Sequence, residues 1–192
     1  MVHDADDLGA AAMLALARET RLSETTFVQR AQVPGADYCN RIWTVTGELP
    51  FAGHPSLGTA VAVALERGAR DASFVQQTGA GTQPVEVTFS SATAARATML
   101  QEPAAFGTRL GEEAFAAVGL TGADADPAVP AQVVSTGVAQ ALLPVAESAS
   151  LDMCAPNAEA LDRLLRSHDC VTVYVAHVAS GSGRVTARAF FL

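Results

Sequence analysis

The sequence predicts an α+β protein built as two similar lobes. Three observations predict it. Apolar helical stretches and short β-favouring runs are interspersed along the chain. The helix that begins at Pro55 is apolar on nearly every side over Leu57 to Leu65, so sheet wrapped around it is the natural arrangement. Helix and strands recur after residue 103 in an order reminiscent of the first half, which divides the chain into lobes 1–103 and 104–192.

The elements follow in order. Asp6 to Thr20 reads as a helix with Leu8, Ala12, Ala15 and Leu16 on one face. Leu22 to Gln29 is extended, rich in the β-favouring residues Thr25, Thr26, Phe27 and Val28. A turn at residues 33–37 leads to a strand over Tyr38 to Thr44, and Leu49 to His54 is a loop. The next helix runs from Pro55 to Arg67. Proline fits a first helical turn because its missing N–H would be unpaired there, and Gly68 closes the helix.

Strands are predicted over Ala72 to Gln76, Pro84 to Ser90 and Ala95 to Gln101, and Glu102-Pro103 ends the block. Within them Val85, Val87 and Phe89 alternate with Glu86, Thr88 and Ser90, as in a half-buried strand. Arg109 to Val118 reads as a helix, and Thr121 to Pro130 as a linker or long loop. Gln132 to Ser135 and Gln140 to Val145 are strands. Asn157 caps a helix to Ser167 that turns Ala158, Leu161, Leu164 and Leu165 inward. Val171 to Val178 and Arg184 to Phe191 form a hairpin around residues 180–183.

Composition narrows the function classes. The 192 residues are 49% hydrophobic and 17% charged, below the roughly 25% charged content of ordinary soluble proteins. The net charge of −8 repels phosphate backbones, so no nucleic-acid partner is expected. No apolar run reaches the roughly 18 residues of a membrane span, and the early Asp4, Asp6 and Asp7 do not fit a secretory signal. Cys39, Cys154 and Cys170 form no paired motif, and they read as free thiols in a reducing, cytoplasmic setting. His3, His54, His168 and His177 lie far apart without metal-ligand spacing, so no metal is expected.

The candidate chemistry centres on Glu24 and His54. Glu24 stands mid-strand among Ser, Thr and Phe. If it faces a cleft, partial desolvation brings it toward the working range of a general acid/base. His54 lies at the base of a helix, where the positive dipole end disfavours imidazolium. A neutral imidazole there can bind a substrate carboxylate or relay a proton. Gly53 lets backbone approach a ligand, and backbone N–H groups of Gly53 and the helix turn that follows it can hold a carboxylate. Ser56 offers either a donor or a cap, and Glu48 either a second acid or a loop cap. On pattern alone, a solvent-facing strand glutamate is the commoner reading of Glu24, and a structural histidine satisfying loop backbone fits His54 equally well.

Two long motifs carry a resemblance. One is Leu22-Ser23-Glu24-Thr25-Thr26-Phe27-Val28. The other is Glu48-Leu49-Pro50-Phe51-Ala52-Gly53-His54-Pro55, reached through Arg41-Ile42-Trp43-Thr44. Weaker echoes are Val134-Ser135-Thr136-Gly137 with Leu142-Leu143-Pro144-Val145, and Arg188-Ala189-Phe190. Together they resemble the PhzF-like isomerases.

The resemblance implies the diaminopimelate epimerase-like fold, each lobe a mostly antiparallel sheet around a central helix. It implies cofactor-free proton transfer on a small carboxylate-bearing substrate, with Glu24 and His54 catalytic and Gly53, Pro55 and Ser56 substrate-binding. Against that pattern, an initial strand and a C-terminal segment bearing a second acid and a Gly-Ser step are expected to be missing, leaving the second lobe incomplete. Missing edges would invite self-association, and a homodimer is expected. A non-catalytic binding protein and an amino-acid epimerase are the alternatives. Two-thiol racemisation is disfavoured, because no cysteine occupies either thiol position.

Overall fold

The first helix, α1 (Ala10–Thr20), starts four residues later than the pattern predicts and buries a different face. Asp6 does not open it, because Arg30 claims its carboxylate. The Arg30 backbone N–H donates to Oδ1 at 2.7 Å and Nε to Oδ2 at 2.8 Å, which holds the carboxyl below its usual range. Met13 and Ala17, one turn apart, are the buried pair. Ala12, Ala15 and Leu16 face outward. These data come from a computed structural model, in which residues 1–101 and 103–191 are described. Glu102, at the expected end of the first block, lies outside them.

The chain folds as two units, Met1–Glu102 and Pro103–Leu192. The first continues with β1 (Thr25–Gln29), β2 (Tyr38–Trp43), β3 (Glu48–Leu49), α2 (Gly53–Glu66), β4 (Asp71–Thr78), β5 (Gly81–Phe89) and β6 (Ala95–Met99). Its sheet runs β1-β2-β4-β5-β6, with β3 beside β2. All pairings are antiparallel except β2–β4, which α2 bridges as a crossover. The expected alternation in β5 is observed: Gln83, Val85 and Val87 are buried and Pro84, Glu86 and Thr88 exposed. Gly68 ends α2 with φ +66°.

Two cores lie on opposite faces of this sheet. Strand register decides which side chains share a face. Phe27 and Trp43 pack with Met13 and Ala17 of α1. Tyr38, Phe74, Val85 and Val87 pack with Ala60, Val63 and Ala64 of α2. The expectation that α2 is covered nearly all round is corrected: Gly58 and Leu65 are exposed. Small residues on one side let the helix sit close to the sheet, and that side alone is buried.

The second unit contains β7 (Ala105–Arg109), α3 (Glu112–Ala117), a 3₁₀ turn at Gly122–Asp124, β8 (Gln132–Ser135), β9 (Ala139–Pro144), α4 (Ala149–Met153), α5 (Ala158–Ser167), β10 (Thr172–Val178) and β11 (Val185–Phe190). The helix expected from Arg109 begins only at Glu112. The residues before it form β7, whose five residues are all exposed and carry no alternation. Part of the expected linker is ordered by a capping box between Thr121 and Asp124. Asn157 caps α5, its Oδ1 accepting from the Ala160 N–H at 2.9 Å. Leu161, Leu164 and Leu165 point inward as expected, whereas Ala158 is exposed.

The two units repeat one motif. In the second, β9 and β10 are parallel and joined through α4 and α5. In the first, Val2 bridges Phe27 of β1 in parallel, joined through α1. An antiparallel partner follows each time: β1–β2 and β10–β11. In both, an arginine two residues before an aromatic stacks on that ring, Arg41 on Trp43 at 5.5 Å and Arg188 on Phe190 at 5.1 Å. Thr25 faces Trp43 and Val173 faces Phe190, so Thr172 occupies the repeat position of Glu24.

Replacing Asn157 with Ala removes the α5 cap and is expected to cost about 1 kcal/mol. Urea unfolding should show a lower midpoint with an unchanged slope.

Candidate active site

The site forms at the end of the first sheet where α2 begins. Glu24 lies one residue before β1, not mid-strand as the pattern predicts. The α1 C-terminus fixes that short connection. Arg21 takes the left-handed conformation with its N–H on Ala17 O, and Thr20 Oγ1 and Thr25 Oγ1 share a hydrogen bond at 3.0 Å. The Glu24 side chain is only 19% exposed, so its carboxylate is largely withdrawn from water.

Helix α2 starts at Gly53, two residues before the predicted Pro55, with Ala52 as an N-cap that provides no side-chain bond. His54 therefore sits within the first turn, with its side chain 77% exposed. His54 Nε2 lies 3.2 Å from Glu24 Oε2. The pair is in contact range but not aligned for a hydrogen bond, so the buried Oε2 has no hydrogen-bond partner among the described residues. An acceptor left in this way can take a donor from a bound molecule.

The first-turn N–H groups of a helix have no intrahelical acceptor. Pro55 has none to offer, and the Ser56 N–H returns to Ala52 O at 3.3 Å. Gly53 and His54 are thus the two first-turn N–H groups available to an anion. A Cβ at Gly53 would meet only Gln101 Nε2, at 4.0 Å, so the approach to this backbone is open. Pro55 and Ser56 are buried on the sheet side of α2. Ser56 Oγ is fully enclosed and unpaired among the described residues.

The sheet surface beneath this end of α2 is polar. Thr59 Oγ1 donates to Thr26 Oγ1 at 2.9 Å, a buried bond that ties α2 to the strand following Glu24. Asn40 Nδ2 donates to Gln76 Oε1 at 3.4 Å, and Thr78 Oγ1 to Gln83 Oε1 at 3.2 Å. Buried polar groups impose a defined register because each wants its partner.

Glu48 pairs with a side chain rather than capping the loop. Arg41 binds both of its carboxylate oxygens, at 2.7 and 2.6 Å. Nothing in the sequence pattern pairs these residues. Arg41-Ile42-Trp43-Thr44 leads into the second long motif, yet a contact across a seven-residue separation has no local signature. All three cysteines are buried and free, and burial raises each thiol. Such thiols supply little thiolate. No group of three His, Cys, Asp or Glu residues suited to a metal occurs among the described residues. Nor is any helix there long and apolar enough to cross a membrane.

Two mostly antiparallel sheets, each with one parallel crossover through helix, form the diaminopimelate epimerase-like fold. The family PhzC-PhzF, described as "Phenazine biosynthesis-like protein", matches residues 1–191, and the chain belongs to it. A solved predicted epimerase from Pseudomonas aeruginosa is similar at 30% identity and TM-score 0.77, over 91% of this chain and 62% of that one. A PhzF-family phenazine biosynthesis protein from Bacillus anthracis shows 26% identity and TM-score 0.76, over 98% and 64%. The trans-2,3-dihydro-3-hydroxyanthranilate isomerase of P. aeruginosa is 51% identical over 81 residues, which is 42% of this chain and 28% of that protein. This chain thus covers less than two thirds of each of these relatives.

Thr59→Val preserves shape but strands the buried Thr26 hydroxyl. It is expected to destabilise the protein by about 1–3 kcal/mol, read from chemical denaturation.

Proposed function

We propose that the chain is a cofactor-independent isomerase that moves a proton on a small carboxylate-bearing substrate. The observation that supports this reading is the contact between the half-enclosed Glu24 carboxylate and the exposed His54 imidazole at the α2 N-terminus. Glu24 is the general acid/base. Its carboxylate takes a proton from a substrate carbon and returns it to another carbon of the same molecule. Substrate and product are isomers, so no electrons are gained or lost overall. Withdrawal from water strengthens the carboxylate's interaction with the C–H under attack.

The substrate carboxylate is held by the N–H groups of Gly53 and His54 and by the His54 imidazole. The helix dipole favours a negative charge there. Pro55 and Ser56 act from the buried side by fixing this turn rather than by touching the substrate. The raised thiols argue against two-thiol racemisation. The name of the P. aeruginosa isomerase supplies the first compound to try, trans-2,3-dihydro-3-hydroxyanthranilate.

Glu24→Gln keeps the side-chain shape and removes the base. It is expected to lower turnover and deuterium uptake from D₂O by at least about 100-fold, with an unchanged circular dichroism spectrum. A variant as active as the parent would end this reading. Self-association belongs to the same proposal. Strand β11 closes one edge of its sheet and is exposed, with Val185 at 58%. Light scattering is expected to give a dimer mass.

A further inference from the structure

The segment that delivers Gly53 and His54 is gripped from two sides before α2 begins. On one side, Arg41 in β2 clamps both oxygens of Glu48 while its guanidinium lies over Trp43. The carboxylate in turn holds the Arg41 proton more tightly than usual. A paired, planar contact of this type fixes direction as well as distance. On the other side, the turn between β4 and β5 presses against Pro50. The Ala80 N–H donates to Pro50 O at 3.0 Å. A Cβ on Gly79 would come within 2.9 Å of Pro50 Cα and 3.2 Å of Pro50 O. Both are backbone atoms and cannot swing aside. Gly79 is not among the positive-φ glycines, so close approach, rather than backbone conformation, demands glycine there.

Only residues 50–52 separate β3 from α2, and Phe51 among them is buried. Three residues span at most roughly 10 Å, which leaves little slack to absorb a shift at Pro50. We propose that Gly79 and the Arg41–Glu48 pair are positioning residues that set the separation of His54 from Glu24 and the aim of the Gly53 N–H. Neither touches substrate. Each acts through the 48–53 segment. The kinetic part of this inference rests on the proton-transfer reading above; the geometric part does not.

The test compares Gly79→Ala, Glu48→Gln and a control, Gly58→Ala, whose added methyl meets nothing within 4 Å. Two readouts are taken on the full chain. The first is the change in the His54 ring NMR signals when Glu24→Gln is added to each background, which reports the proximity of the two groups without any substrate. The second is kcat and KM with trans-2,3-dihydro-3-hydroxyanthranilate. Gly79→Ala is expected to lose at least half of the His54 response. Its kcat should fall about 10- to 100-fold, since a displacement near 1 Å costs up to that much. Glu48→Gln should move both readouts in the same direction, and Gly58→Ala neither.

A full His54 response in Gly79→Ala overturns the inference, as does an equal loss in Gly58→Ala. Should Gly79→Ala fail to fold, Glu48→Gln decides by the same criteria. If the parent shows no turnover, the proton-transfer reading fails and the NMR comparison alone judges the clamp.

Discussion

The seating of α2 on its sheet is the constraint from which the site follows. One side of this helix combines Ser56 and Thr59 near its start with Ala60, Val63 and Ala64 further on. The later, apolar part meets Phe74, Val85 and Val87. The earlier part meets polar sheet residues and makes the Thr59–Thr26 bond. A helix shifted by one turn would set hydroxyls against the apolar patch and methyl groups against Asn40 and Gln76. Burial of unpaired polar groups opposes such a slip. The correct seating leaves the first turn at the sheet edge beside Glu24.

That arrangement also sorts the ionisable groups. Most carboxylates of this acidic chain are surface groups, and several are already occupied: Asp6 by Arg30, Glu48 by Arg41, and Asp162 by Arg166. Glu24 differs from these three because its close neighbour is the exposed His54 imidazole, a type of neighbour that Glu66 also has in His3. An arginine beside it would lock the group in its anionic form. An imidazole can exchange a proton at physiological pH.

Much of this was legible in the sequence where one local rule dominated. Asn157 announced its cap, Gly68 its stop, and β5 its alternation. The long motifs around Glu24 and His54 marked the site through resemblance rather than through pattern. Legibility failed where composition offered no contrast. Helix α1 is so rich in alanine that its inward face cannot be chosen by periodicity, and Met13 with Ala17 took it. Strand β7 is exposed throughout, so no alternation betrays it. The Arg41–Glu48 pair and the Gly79–Pro50 contact are tertiary, and only a fold can bring them together. The early start of α2 leaves no mark in the sequence, because Pro55 is a strong first-turn signal yet is tolerated two residues further in.

The repeated motif has an evolutionary reading. Two hairpins with the same arginine–aromatic stack and the same parallel crossover are what a duplicated ancestral half would leave behind. The stack and the crossover are common to both halves, while one equivalent position differs: the first carries Glu24 and the second Thr172. The shared scaffold thus holds different side chains at equivalent positions, as halves that diverged after a duplication would.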